Sequence, residues 1–171
     1  FSAPVPLWVN NSAAWSVLLV SGAETLTPAE QAIKARLAAE HGAAVTTVAA
    51  RKAKAADAQG KQLVIISPSA PQSAVTTKFR RVAVGVLCLN AQLFNDHGLT
   101  GRAWGTQAGT KAKQSKLTIV SPDHPLAGGL RGRSVRVTRK AADFGWGGLP
   151  SANAVVAATI VGEPDHAASF G

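Results

Sequence analysis

Residue types that define several common classes of protein are missing from this sequence or scarce in it. The single cysteine, Cys88, excludes an internal disulfide framework and a cysteine-rich zinc site. Charged residues are only 16% of the chain and hydrophobic residues are 46%, the opposite of the composition of disordered proteins. The longest apolar runs, such as residues 82–89, are too short to span a bilayer. What remains is a chain of 171 residues, long enough for one domain with its own core.

Methionine is absent, and the first residue is Phe1. We therefore interpret the sequence as a processed chain or a fragment. Near its start, Pro4 and Pro6 favour extended backbone. This beginning predicts a lead-in or linker over residues 1–15, followed by a single α/β domain over residues 16–171.

Acidic residues are also few, with 9 Asp and Glu against 18 Lys and Arg, which gives a net charge of +9. Such a charge attracts polyanions. The densest group of cations makes Arg131, Arg133 and Lys140 candidate polyanion-binding residues. Aromatic residues are only 5% of the chain and do not alternate with these cations, so we do not expect nucleic acid as a partner. The alternative is a basic surface with no specific ligand.

One helix is predicted clearly, over residues 28–41. Thr27 is a favoured N-cap residue, Pro28 suits the first helical position, and Glu30 completes a capping box. Gly42 is a favoured residue just after a helix. Short apolar runs predict strands at 17–20, 62–66 and 81–89, and alternating β-branched residues predict a strand at 44–48.

Up to Gly98, strands alternate with helical segments, with short helices predicted at 52–58 and 90–97 and a brief helical or turn segment at 75–81. This alternation implies crossover connections and a parallel sheet covered on both faces. We expect a mobile loop at 101–114, and later strands at 116–120, 134–138, 154–160 and 168–170. The expected fold class is therefore α/β, with three layers and a mainly parallel central sheet in flavodoxin-like order.

The sequence resembles the uncharacterised flavodoxin-like, class I glutamine-amidotransferase-like domains of large secreted modular bacterial proteins. The resemblance is carried by residues 17–22, 32–37, 63–67, 77–87, 97–101, 121–130 and 146–147. It implies a secreted or cell-surface location, and partners that are other modules of the same polypeptide or other subunits. It also implies that the chain is truncated at its C-terminus. No reaction is assigned to these domains, so the resemblance carries no catalytic residues across.

Polar residues follow the predicted strands, at the edge where parallel α/β sheets bind ligands. The candidate ligand-binding residues are Ser21, Gly22, Ser67, Ser69, Asn90 and His124. They would form a small pocket of hydroxyl and amide groups. The alternative is that they are ordinary turn residues.

Signals for catalysis are weak. Cys88 lies between apolar residues without close flanking glycines, which favours a buried, inert thiol. A Ser-His-Asp site of Ser67 or Ser69 with His124 and Asp123 lacks support beyond composition. No catalytic residue is therefore assigned, and neither metal-ligand spacing nor a phosphate-loop motif predicts a metal or another cofactor.

Three functions stay open. The leading hypothesis is a non-catalytic structural, assembly or binding module of a secreted or cell-surface protein, with extracellular polysaccharide as one candidate ligand. For that ligand, Trp104 and Trp146 are candidate stacking platforms, although packing in the core is the alternative for Trp146. The second hypothesis is a hydrolase or amidotransferase-like enzyme that uses the strand-end edge. The third is a basic module that binds anionic polymers.

Overall fold

The computed structural model describes residues 15–148 and 153–171, so the predicted linker lies outside the described residues except for Trp15. The strands in chain order are β1 (Ser16–Ser21), β2 (Ala44–Ala49), β3 (Leu63–Ile66), β4 (Gly85–Cys88), β5 (Ala108–Gln114), β6 (Lys116–Ile119), β7 (Val135–Arg136), β8 (Ala142–Gly147), β9 (Val156–Ile160) and β10 (Glu163–Phe170). The α-helices are α1 (Pro28–His41) and α2 (Gln72–Val75), and 3-10 helices span Ala55–Ala58, Ala91–Leu93 and Pro125–Ala127. In the described residues, neither α-helix is long and apolar enough to cross a membrane.

The first four strands form a parallel sheet with the order β2-β1-β3-β4. The apolar runs predicted as strands therefore lie side by side and run the same way, as expected. Strand β1 is central, and its residues from Val17 to Val20 are at most 1% exposed. A strand buried on both faces needs such a continuous apolar run.

Helix α1 begins and ends where the sequence predicts. The Thr27 side chain accepts a hydrogen bond from the Glu30 amide at 3.3 Å, and the Thr27 amide donates to the Glu30 carboxylate at 2.7 Å. Gly42 ends the helix with a φ of 61°, a left-handed conformation that glycine adopts without a steric penalty. Local chemistry alone therefore fixes both ends of this helix.

The two faces of the parallel sheet are covered differently. On one face, Ile33 and Leu37 of α1 pack against a cluster that includes Val17 and Leu19. The other face is covered by turns, the one-turn helix α2 and two 3-10 helices, whose buried side chains include Phe79 and Leu93. The predicted helices at 52–58 and 90–97 are thus too long, because each segment forms only a short 3-10 helix with turns. The segment 75–81 is mainly turn, one of the two forms predicted for it.

The expected fold class, a three-layer α/β domain with one mainly parallel sheet in flavodoxin-like order, is wrong. The last six strands form a separate antiparallel sheet with the order β5-β8-β10-β9-β6-β7. Parallel pairing needs a crossover, usually through a helix. After β4 the described chain has only three-residue 3-10 helices, and β9 turns directly into β10 at Val161-Gly162. Such short connections favour antiparallel neighbours.

The antiparallel sheet is strongly curved. Only Ser115 separates β5 from β6, although three strands lie between them in the sheet. A flat sheet would hold these two strands about 19 Å apart, whereas two Cα–Cα steps span at most about 7 Å. The sheet must therefore curl to bring the end of β5 to the start of β6. The predicted loop at 101–114 is correct only up to β5.

The two sheets meet at the segment that follows β4. Phe94 packs edge-on against Phe170 of β10, with ring centroids 5.4 Å apart. A Cβ on Gly145 of β8 would lie 2.8 Å from the Cβ of Ala91, so the antiparallel sheet packs directly on the 3-10 helix Ala91–Leu93. This contact places the loop before β5 beside the carboxyl edge of the parallel sheet.

Candidate functional site

Several of the predicted ligand residues do meet, but in a closed network around Glu30. The Ser69 hydroxyl donates to one Glu30 carboxylate oxygen at 2.5 Å, and the Thr27 hydroxyl donates to the other at 2.9 Å. Ser67 and Ser69 share a hydrogen bond of 3.1 Å. The Gly22 amide donates to the Ser69 hydroxyl at 2.9 Å. Glu30, which the sequence suggested only as a capping residue, thus ties α1 to the ends of β1 and β3.

The Glu30 carboxylate is buried and charged. Glu30 is only 1% exposed. Burial acts to raise the pKa of this carboxyl, but the hydrogen bonds from Ser69, Ser67 and Thr27 together outweigh burial and lower the pKa to about 2. The carboxylate is therefore ionised at neutral pH. Its two oxygens accept hydrogen bonds from Thr27 and Ser69 of the same chain. We interpret the network as structural.

Ser21 and Gly22, at the end of β1, also make internal contacts beside the Glu30 network. The Ser21 hydroxyl donates to the Ala23 carbonyl at 2.7 Å, and the residue is 1% exposed. A Cβ on Gly22 would lie 2.4 Å from the Ser69 carbonyl oxygen, so only glycine lets the two loops approach. The predicted pocket of hydroxyl groups is closed at this point.

Asn90 and His124 lie apart from that network. The Asn90 side chain donates to the Ala70 carbonyl at 2.9 Å and accepts from the Gln92 amide at 3.0 Å, so it fixes the start of the 3-10 helix after β4. His124 caps the 3-10 helix Pro125–Ala127, beside the antiparallel sheet. The expectation that His124 reaches the edge with Ser67 is not supported by any contact in the described residues.

The residues considered for catalysis do not form a reactive group. Asp123 binds Arg131 at 2.6 Å rather than orienting His124. Cys88 is only partly buried, not the buried residue that the sequence predicts. Its thiol donates to the Asn90 carbonyl, and desolvation raises its pKa to about 11, which makes it poorly reactive. Among the described residues, no group of three or more His, Cys, Asp or Glu side chains could hold a metal ion.

An open cleft that the sequence did not predict lies next to this edge. It has a volume of about 340 Å³, and we call it the Trp104 cleft. Its lining residues are Gln72, Gln92, Asn95, Gly101, Arg102, Trp104 and Ala108. This volume is at the lower end of the range of small-molecule sites, about 300–1,000 Å³.

The walls of the Trp104 cleft come from both halves of the chain. Gln72 starts α2 after β3, and Gln92 lies in the 3-10 helix after β4, so both belong to the carboxyl edge where parallel sheets bind ligands. Gln72 is held in place by a hydrogen bond of 3.1 Å from its amide to Asp96. A neighbouring cleft of about 280 Å³ shares Gln92 and is bordered by Asn90. The two clefts thus lie on either side of Gln92.

Trp104 also lines this cleft and lies on the loop that precedes β5. The loop closes on itself, because the Gln107 amide donates to the Ala103 carbonyl at 2.7 Å and the Ala103 amide donates to the Gln107 side chain at 3.0 Å. Trp104 is 53% exposed. Trp146, the other candidate platform, is 4% exposed and stacks on His166 at 3.6 Å, so it is a core residue.

The predicted cationic residues lie in the segments that flank strand β7 of the antiparallel sheet. Arg133 and Lys140 are exposed on either side of β7, whereas Arg131 is bound to Asp123. The structure therefore keeps two of the three predicted polyanion-binding residues free of an acidic partner among the described residues.

Comparisons with known proteins do not identify a relative: neither a protein-family model nor a curated protein matches the chain. The geometry of the site is therefore the basis for its function.

Proposed function

We propose that this chain is a non-catalytic binding module of a secreted or cell-surface protein, and that it binds a polysaccharide at the Trp104 cleft. The observation that carries this proposal is the half-exposed Trp104 indole at a cleft lined with amide side chains and a guanidinium group. An exposed indole in the wall of a cleft is a large apolar surface without a partner of its own.

The chemistry of the Trp104 cleft suits a sugar. The C–H face of a sugar ring can stack on the indole of Trp104, as other flat apolar groups do. Gln92 and Asn95 each offer a carbonyl acceptor and an amide donor, which match the hydroxyl groups of a sugar in both roles. Arg102 adds donors only, and it can bind a ring oxygen, a hydroxyl or a carboxylate.

Binding fits this cleft better than hydrolysis. Glycoside hydrolysis normally uses two carboxylates on either side of the bond that is cleaved. The residues lining the Trp104 cleft include neither Asp nor Glu. The serine and cysteine groups of the nearby edge are bonded internally or carry a raised pKa. These features support a ligand that is held without being converted.

The proposed location rests on the resemblance to domains of large secreted modular proteins. In such a protein, the partners of this module would be other modules of the same polypeptide or other subunits. A polysaccharide outside the cell would be within reach of the Trp104 cleft.

The test is a glycan array followed by affinity electrophoresis of the folded protein in gels that contain the polysaccharides found on the array. We expect Trp104→Ala to weaken binding about tenfold or more, because it removes the stacking surface. Trp104→Phe should keep part of the affinity. Trp15→Ala is the matched control, since Trp15 is 42% exposed and lies outside the residues that line the cleft.

Equal loss of affinity in Trp104→Ala and Trp15→Ala would show that the cleft is not the site. Absence of binding to every glycan on the array would overturn the proposed ligand class. Turnover of an ester, amide or glycoside substrate that Ser67→Ala or Cys88→Ala abolishes would instead favour the enzyme hypothesis.

A further inference from the structure

A second surface carries like charges directly opposite one another. Strands β6 and β7 are antiparallel, and Lys116 is the cross-strand partner of Arg136. Both residues are exposed. Directly opposite like charges destabilise a strand pair, so this arrangement costs stability unless an anion lies between them.

The cations around this pair have little acidic compensation. We call Lys116, Arg133, Arg136, Arg139 and Lys140 the basic strip, and all five residues are exposed. Asp123 and Asp143 are the acidic residues in the sequence from 111 to 143. Asp123 is bound to Arg131 at 2.6 Å, and Asp143 accepts a hydrogen bond from the Lys113 amide at 3.3 Å. Among the described residues, none of the strip cations forms an ion pair, and the segments outside the description contain neither Asp nor Glu.

The basic strip also has an accessible shape. Among the described strands, β7 is an edge strand of the antiparallel sheet and pairs with β6 alone. Arg133 precedes β7, and Arg139 and Lys140 follow it, so the cations are distributed along one edge. An extended polyanion can follow such an edge and contact several cations in turn.

From this placement, we infer that the basic strip binds an anionic polysaccharide, with carboxylate or sulfate groups seated between Lys116 and Arg136 and along the residues that flank β7. Residues 111–142 contain no Phe, Trp or Tyr, which disfavours single-stranded nucleic acid, because its bases need stacking partners. The inference that the ligand is a sugar polymer rests on the function proposed for the Trp104 cleft. The inference that this polymer is anionic rests on the basic strip alone.

The experiment measures binding of dextran sulfate and polygalacturonate to the folded protein by titration calorimetry at several salt concentrations. A variant with Gln at positions 133, 136, 139 and 140 should bind about tenfold or more weakly, and affinity should fall steeply with salt. The charge-matched control places Gln at 34, 51, 54 and 81, which are exposed cations outside the antiparallel sheet. It should lose at most about threefold.

A second variant guards against loss of folding. Arg136→Glu creates an opposite-charge pair with Lys116, which favours the strand pair while it removes the anion site. It should unfold at the same or a higher temperature and still bind more weakly. Unchanged binding in this variant would overturn the inference.

Further arms separate the alternatives. Trp104→Ala should retain binding to dextran sulfate, so failure of the Trp104 cleft and failure of the basic strip give different results. Equal losses in the strip variant and the charge-matched control would show a general effect of net charge. Tighter binding to duplex DNA or to phosphatidylglycerol vesicles than to either polysaccharide would reject the sugar polymer as the ligand.

Discussion

The buried Glu30 carboxylate gives the sharpest prediction about stability. Substitution of Glu30 by Gln keeps the size of the side chain but removes its charge and replaces one acceptor oxygen with an amide. That amide would face either the Thr27 donors, at 2.7 and 2.9 Å, or the Ser69 hydroxyl, at 2.5 Å. At least one donor of the network would then lose its acceptor.

The size of the effect follows from the pKa. A pKa lowered from its ordinary value of 4.5 to about 2 corresponds to about 3 kcal/mol of folding free energy at neutral pH. Because the folded state binds the proton less tightly than the unfolded state, this contribution is fully present above pH 4.5. It is lost progressively as the pH falls toward 2.

The measurement is urea unfolding of the wild type and Glu30→Gln at pH 7, 4 and 3. The difference in unfolding free energy should be about 3 kcal/mol at pH 7 and should shrink at each lower pH. Glu40→Gln is the control on the same helix, because its exposed ion pair with Arg36 contributes less than about 1 kcal/mol. A difference that stays constant from pH 7 to pH 3 would refute the stabilising role of the Glu30 charge.

Two further predictions concern the same edge of the parallel sheet. Gly22→Ala should lower the unfolding free energy by about 1–3 kcal/mol in urea titrations, because the new Cβ would lie 2.4 Å from the Ser69 carbonyl oxygen. Gly85→Ala is the control and should change the unfolding free energy little, because its new Cβ would lie 3.8 Å from the nearest atom. The Cys88 thiol, with its pKa raised to about 11, should react with iodoacetamide at pH 8 only slowly until urea unfolds the chain, and rapid labelling of the folded protein would contradict the raised pKa.

The elements that the sequence predicts correctly are those specified by neighbouring residues. Helix α1 carries its own capping box at Thr27 and its own end at Gly42, so its limits need no knowledge of the rest of the fold. Strands β1 and β3 are predicted because a continuous apolar run of four residues favours a doubly buried strand.

The sheet arrangement was not predictable in the same way. Strand β5 contains Lys111 and Lys113, and β8 contains two glycines, which are depleted in strands. Phe144 and Trp146 alternate along β8, but the glycines between them hide this short pattern. Their pairing depends on contacts between residues far apart in the sequence, such as Thr110 with Gly145. Without these two strands, the later segments read as additions to the parallel sheet rather than as a sheet of their own.

The candidate site likewise depends on contacts between residues that are far apart in the sequence. Ser67 and Ser69 follow a buried strand, which predicts that they face a ligand. In the structure, the Glu30 carboxylate of α1 accepts the Ser69 hydrogen bond instead. The strand ends therefore offer a ligand the next polar residues along the chain, Gln72 and Gln92, which lie beyond the closed network. Trp104 completes the cleft only because the antiparallel sheet packs against the 3-10 helix Ala91–Leu93 and carries its preceding loop to this edge. Ala91→Val adds bulk where Ala91 already packs closely on Gly145, so it should push the antiparallel sheet away. It should thus weaken ligand binding in affinity electrophoresis, although Ala91 does not line the Trp104 cleft.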